Sequence, residues 1–183
     1  MKTKLMTLFA ALLLCAGTNA QSVATNGRTT KTLVAYFSWG GNTQHVAERI
    51  ASLTGGTLFR IEPEKPYPAE YKPCTEVAKA EKEADARPAI KSKVESWEQY
   101  DTVFIGCPVW WWTAPMIINT FAESYDFRGK TVVPFFTSGG SGAGRTDSVL
   151  HEICPSARWK PSKRLSANVS EAELKGWLDS LNV

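Results

Sequence analysis

Apolar positions along the chain fall into two patterns. Thr32 to Phe37 (TLVAYF) is a near-continuous run of β-branched and aromatic residues, as in a strand covered on both faces, and further strands are predicted near Thr57 to Ile61, Thr102 to Gly106 and Thr131 to Thr137. Between them the apolar residues recur at helical spacing. Val46, Ala47, Ile50, Ala51 and Thr54 form one helix face, closed by Gly55 and Gly56. After a loop bearing Pro63, Pro66 and Pro68, the segment Glu70 to Ala86 predicts a charged helix with a thin apolar face at Val77, Ala80 and Ala84. Helices are also predicted over Pro115 to Ser124 and Thr146 to Ile153, followed by a weak strand within Arg158 to Leu165. The last helix opens with a capping box, Ser170 and Glu173, and carries Leu174, Trp177, Leu178 and Leu181 on one face. Strands alternating with helices predict an α/β fold with a doubly wound parallel sheet. Ligands of such sheets bind beyond the carboxyl ends of the strands, where the strand order reverses.

Three polar loops fall at those carboxyl ends. The first reads SWGGNT, Ser38 to Thr43. It hands a strand to a helix N-terminus, where unpaired N–H groups and the helix dipole favour an anion. Neither the lysine of a nucleoside-triphosphate loop nor a G-x-G-x-x-G dinucleotide fingerprint is present. Ser38, Asn42 and Thr43 instead place side-chain donors around Gly40 and Gly41, which suits one terminal phosphate held without a cation. The same residues also suit a plain strand-to-helix turn with Asn42 or Thr43 as N-cap.

The second loop, CPVWWWTAP, carries three consecutive tryptophans, and in an extended stretch they cannot all point inward. They suit a flat aromatic ligand, or a packed loop with a partner-facing surface. Thr113 ahead of Ala114-Pro115 reads as an N-cap. The third loop, TSGGSGAGRT, exposes backbone N–H and C=O groups through Ser138, Gly139, Gly140, Gly142 and Gly144. A hydrolase elbow fails at Ser141 because Ala143 stands at the last glycine position. The isolated histidines, His45 and His151, and the scattered cysteines give no metal-ligand spacing.

These loops, in this order on an alternating α/β chain, resemble the flavodoxin-like family across essentially the whole chain after its leader. The resemblance implies a three-layer doubly wound fold with a five-stranded parallel sheet in the order 2-1-3-4-5, and flavin mononucleotide (FMN) as cofactor. Carried over by position, Ser38, Gly40, Gly41, Asn42 and Thr43 would surround the phosphate. Pro108, Val109, Trp110, Trp111 and Thr113 would border the isoalloxazine ring on one side, and Thr137, Ser138, Gly139, Gly140 and Gly144 on the other. This chain departs from the family's pattern at Gly40, where a hydroxyl residue is common, and in a third loop with no aromatic cover. Trp39, Tyr67 or a second-loop tryptophan would have to supply that cover. Glycine is often found where Trp112 stands, and it eases the backbone turn that stabilises a one-electron reduced flavin. That weakens the case for a pure carrier and favours two-electron transfer to a quinone-like acceptor. Carrier and quinone-type reductase both stay open, as does a cofactor-free module that grips a partner through its tryptophans. No catalytic acid or nicotinamide site can be read.

In this fold Cys107 and Cys154 are expected at opposite sheet edges, and Cys74 beyond direct reach of Cys107, so no disulfide is expected. The first twenty residues set the expected compartment. Lys2 and Lys4 precede the apolar run Leu5 to Leu14, and Thr18-Asn19-Ala20 approximates a small-residue cleavage site, as in a secretory signal. Cys15 raises a lipoprotein alternative, but the preceding Leu14 is larger than such signals prefer. The expected organisation is a signal at 1–20, a lead at 21–31 and one domain at 32–183, exported to the periplasm. Without a twin-arginine pair, export would precede cofactor loading. The chain has 21 Lys and Arg against 18 Asp and Glu, with two of the lysines in the leader, a balance that argues against a nucleic-acid surface.

Overall fold

The computed structural model describes residues 31–183, so the expected signal at 1–20 and nearly all of the expected lead at 21–31 lie outside the described residues. Six strands and five α-helices follow one another: β1 Lys31–Tyr36, α1 Asn42–Thr54, β2 Thr57–Arg60, α2 Tyr71–Glu83, β3 Tyr100–Pro108, α3 Met116–Glu123, β4 Thr131–Thr137, α4 Thr146–Ile153, β5 Arg158–Trp159, β6 Lys163–Arg164 and α5 Glu171–Leu181. A single 3₁₀ turn, Trp97–Gln99, precedes β3. All strand pairs are parallel, in the order β2-β1-β3-β4-β5, with β6 also against β4. The expected five-position sheet is present, its fifth position shared by two short strands.

That division has a local cause. β5 pairs with Thr131 and Val132, β6 with Phe135 and Phe136. The gap between them lies opposite Val133 and Pro134, and proline has no N–H to give a ladder.

Alternation along β1 sorts the two apolar layers. Leu33 and Ala35 join Val103, Ile105 and Val132 under Ile117, Ile118 and Phe121 of α3 and Leu150 of α4. Val34 and Tyr36 join Phe104, Val133 and Phe135 under α1 and α5 through Val46, Ile50, Leu174 and Trp177. Ser170 caps α5 as expected, its hydroxyl accepting from the Glu173 N–H at 3.2 Å.

Several expected boundaries shift. β3 is longer at both ends than Thr102–Gly106, and α2 stops at Glu83 rather than Ala86. The buried side of α2 is Cys74 and Ala78, not Val77, Ala80 and Ala84. A tertiary contact sets this register: Glu81, about five-sixths of a turn beyond Ala78, turns inward to accept a 2.7 Å hydrogen bond from the Tyr67 hydroxyl. Among the described residues no helix is long and apolar enough to cross a membrane.

Candidate functional site

The first loop is built to leave donors free. Ser38 is buried, and its Oγ accepts from the Gly41 N–H at 3.1 Å, drawing the loop into a tight turn. Gly41 is the N-cap, at φ 88°, and α1 has no side-chain cap. Asn42 and Thr43 are therefore the first helical residues and neither is the N-cap. The first helical bond runs from the His45 N–H to the Gly41 carbonyl. The N–H groups of Asn42, Thr43 and Gln44 thus have no carbonyl within the helix. Thr43 is buried, with its hydroxyl 2.8 Å from that of Thr137, which ties α1 to the end of β4.

The second loop doubles back on itself. Trp110 and Thr113 exchange both backbone hydrogen bonds, at 2.8 and 3.0 Å, around Trp111 and Trp112 at φ 49° and 65°. Two central residues at positive φ define a type I′ hairpin turn, ordinarily the place of Asn-Gly. Thr113 is consequently part of the hairpin, and Pro115 takes the cap position before α3.

Neighbours hold the turn at each carbonyl. The Trp111 carbonyl accepts from Lys82 Nζ at 2.8 Å and the Trp112 carbonyl from the Arg145 N–H at 2.7 Å. Trp111 Nε1 donates to the Thr75 carbonyl at 2.9 Å, with the Lys79 ammonium 5.7 Å from its ring centre. Trp112 stays 67% exposed. Its carbonyl lies so near Gly144 that a Cβ there would sit 2.0 Å from it. Gly144 thus provides a close approach between the second and third loops.

The third loop starts at buried Thr137, whose carbonyl accepts from the Val109 N–H at 3.1 Å. Ser138 Oγ donates to the Ser141 carbonyl, closing the loop on itself.

Together these loops wall one cleft of about 730 Å³, within the range of small-molecule sites. Ser38, Gly40, Asn42, Thr43, Pro108, Val109, Trp110, Trp111, Thr137, Ser138 and Gly139 line it; Gly41, Thr113, Gly140 and Gly144 do not, acting through loop shape instead. Among the described residues no Lys or Arg lines the cleft. Backbone N–H groups and short polar side chains are therefore the donors available there, a set that suits a phosphate monoester.

Of the expected ring covers, Tyr67 is excluded. It packs edge-on against Phe37 and Trp110, with ring centres 5.5 and 5.2 Å away, and faces a smaller neighbouring cleft of about 260 Å³. Burial raises the pKa of Tyr67 and of its partner Glu81. Trp39 does line the main cleft, its Nε1 donating to the Pro68 carbonyl at 2.9 Å.

Sequence reading missed two walls. One is α2, through Tyr71, Cys74, Thr75 and Ala78; the other is the β6–α5 loop, Leu165 to Asn168. The only signal for the latter was a short polar stretch after a strand end, which the interrupted fifth strand obscured. Cys74, Cys107 and Cys154 are buried free thiols. Burial pushes Cys107 up to about 12 and Cys154 up to about 11.

Comparison with known proteins gives the lineage. A family model described as flavodoxin matches residues 31–181. A candidate flavoprotein from Bacteroides eggerthii is 42% identical, with a TM-score of 0.75 over 84% of this chain and 99% of its own. Another from Bacteroides uniformis is 40% identical, with a TM-score of 0.73 over 82% of this chain and 98% of its own. A flavoprotein from Lactobacillus acidophilus, solved in complex with FMN, shares the fold at 24% identity, with a TM-score of 0.70 over 84% of this chain and 99% of its own. No curated protein matches the chain. The family match over nearly the whole described chain, on a sheet of this order with three loops at one edge, makes this protein a member of the flavodoxin family.

Proposed function

We propose that the cleft binds FMN and that the protein is an exported redox protein. The observation that carries this is a cation-free phosphate cradle at the α1 N-terminus continuous with a tryptophan-walled cleft. The FMN complex of the Lactobacillus relative supports it. Ser38, Gly40, the Asn42 side chain and the backbone N–H groups of Asn42 and Thr43 would hold the phosphate. Pro108 to Trp111 would border the ring on one side, and Thr137 to Gly139 on the other. Bound FMN supplies reversible hydride and single-electron chemistry; the chain positions the ring and shields it from water.

Adding FMN to the purified mature protein and following flavin fluorescence tests the proposal. Saturable quenching at micromolar protein is expected, weakened by Asn42→Ala and at least tenfold weaker for riboflavin, which lacks the phosphate. No saturable quenching would leave the cofactor-free partner module as the better reading.

One observation favours a quinone-type reductase over a dedicated carrier. Both central carbonyls of the tryptophan turn are already bonded, to Lys82 and to the Arg145 N–H. A carrier would need such a carbonyl free to turn toward the reduced ring. Stepwise anaerobic reduction, followed by visible absorbance, should show no band that rises to half reduction and then disappears. A strong, persistent band of that kind would favour the carrier.

A further inference from the structure

We infer that the β6–α5 loop is a fourth cofactor-binding segment, in which the side chains of Ser166 and Asn168 donate hydrogen bonds to the phosphate. This rests on the FMN reading above and assigns residues outside the three loops at the ends of β1, β3 and β4. Leu165 and Val169 are both buried, and the residues between them line the main cleft. The Leu165 N–H bonds the Phe136 carbonyl at 2.9 Å, and the Val169 N–H bonds the Ser166 carbonyl at 3.0 Å. A short exposed arch is thus held at both ends.

Its position is set by α1. Arg49 donates to the Val169 carbonyl, and Leu165 and Val169 share the apolar layer of Val46 and Ala47. The other end of the arch, Leu165, bonds Phe136, the residue before Thr137, which meets Thr43 at the start of α1. The tryptophans lie against α2 instead, through the bond from Trp111 to Thr75. The arch therefore stands at the phosphate end of the cleft, not the ring end.

The donors are available. Ser166 Oγ accepts the Asn168 N–H at 3.1 Å, which leaves its own hydrogen to give. Among the described residues nothing accepts from that hydroxyl or from the Asn168 side-chain amide. The cradle also has glycine at position 40 and no cation, so a phosphate dianion retains unmet acceptor capacity there.

Titrations of the full mature protein with FMN and with riboflavin test this. Ser166→Ala combined with Asn168→Ala should weaken FMN binding about tenfold, with riboflavin binding and the thermal midpoint of the apoprotein unchanged. Asn168→Asp should weaken FMN further by setting a carboxylate against the phosphate. Asn168→Lys should tighten FMN, with a gain that salt removes. FMN affinity unchanged by both the double alanine variant and Asn168→Asp would overturn the inference, as would equal weakening of FMN and riboflavin. Failure of the unsubstituted protein to bind FMN would instead overturn the functional proposal, and this inference with it.

Discussion

Trp111 and Trp112 sit at φ 49° and 65°, a region that costs an L-residue roughly 1–2 kcal/mol. The surrounding bonds hold them there: Lys82, Thr75 and Arg145 each take a group of the turn. Trp112 is mostly exposed, so its ring contributes little burial to offset the strain. Trp112→Gly should therefore raise the stability of the apoprotein, by about 1 kcal/mol in urea denaturation after allowing for the unfolded-state entropy of glycine. Trp112→Ala, which keeps the strain and loses only the ring, should give no gain. The exposure of at least one tryptophan was readable from three in a row. The reversal of the chain within them was not, because nothing in Trp-Trp announces a turn that usually carries Asn-Gly.

At the level of elements, β3 and β4 interlock through one missing side chain. The Phe135 ring covers Gly106, where a Cβ would lie 2.1 Å from its Cζ. Both residues are buried, so the ring has little room to move. Gly106→Ala should destabilise the fold by about 1–3 kcal/mol, the usual range for overpacking a tight core, readable as a lowered urea midpoint. Hydrophobic runs marked β1, β3 and β4 well, because those strands are buried along most of their length and buried strands need little else. β2 is an edge strand with exposed residues, marked by its β-branched and aromatic composition instead. The divided fifth strand was blurred by Pro161 within the run and by Pro134 on the neighbouring strand. The face of α2 was misread because Val77, Ala80 and Ala84 fit helical spacing as well as Cys74 and Ala78 do. The Tyr67–Glu81 bond, made between α2 and the loop that leads into it, decided between them.

For the molecule as a whole, buried ionisable groups set the alkaline limit. Burial raises the thiols of Cys74, Cys107 and Cys154 and the phenol of Tyr67 above their ordinary values. A raised folded value gives stability that is complete below the unfolded pKa and is lost as pH rises toward the folded one. For Cys107 that window runs from the ordinary thiol value of 9.0 to about 12. Urea midpoints should therefore fall steadily above about pH 9, with Cys107 alone responsible for about 2 kcal/mol by about pH 10.5. Cys107→Ala should make the decline shallower. A decline of the same slope in that variant would assign the loss to other groups.

The sequence alone was enough for the α/β class, the order of the main elements and the three loops at one sheet edge. Those properties are written in local hydrophobic period and in the small polar residues that end strands. It also marked about half of the residues that line the cleft, because loops that follow parallel strands must emerge at the same edge. What the tertiary structure decided were relations between distant segments: the tryptophan turn held by Lys82 and Arg145, Tyr67 turned away toward Glu81, and the Ser166–Asn168 arch brought beside α1. Each depends on a hydrogen bond or close contact between residues far apart in the chain, and local pattern carries no record of such partners.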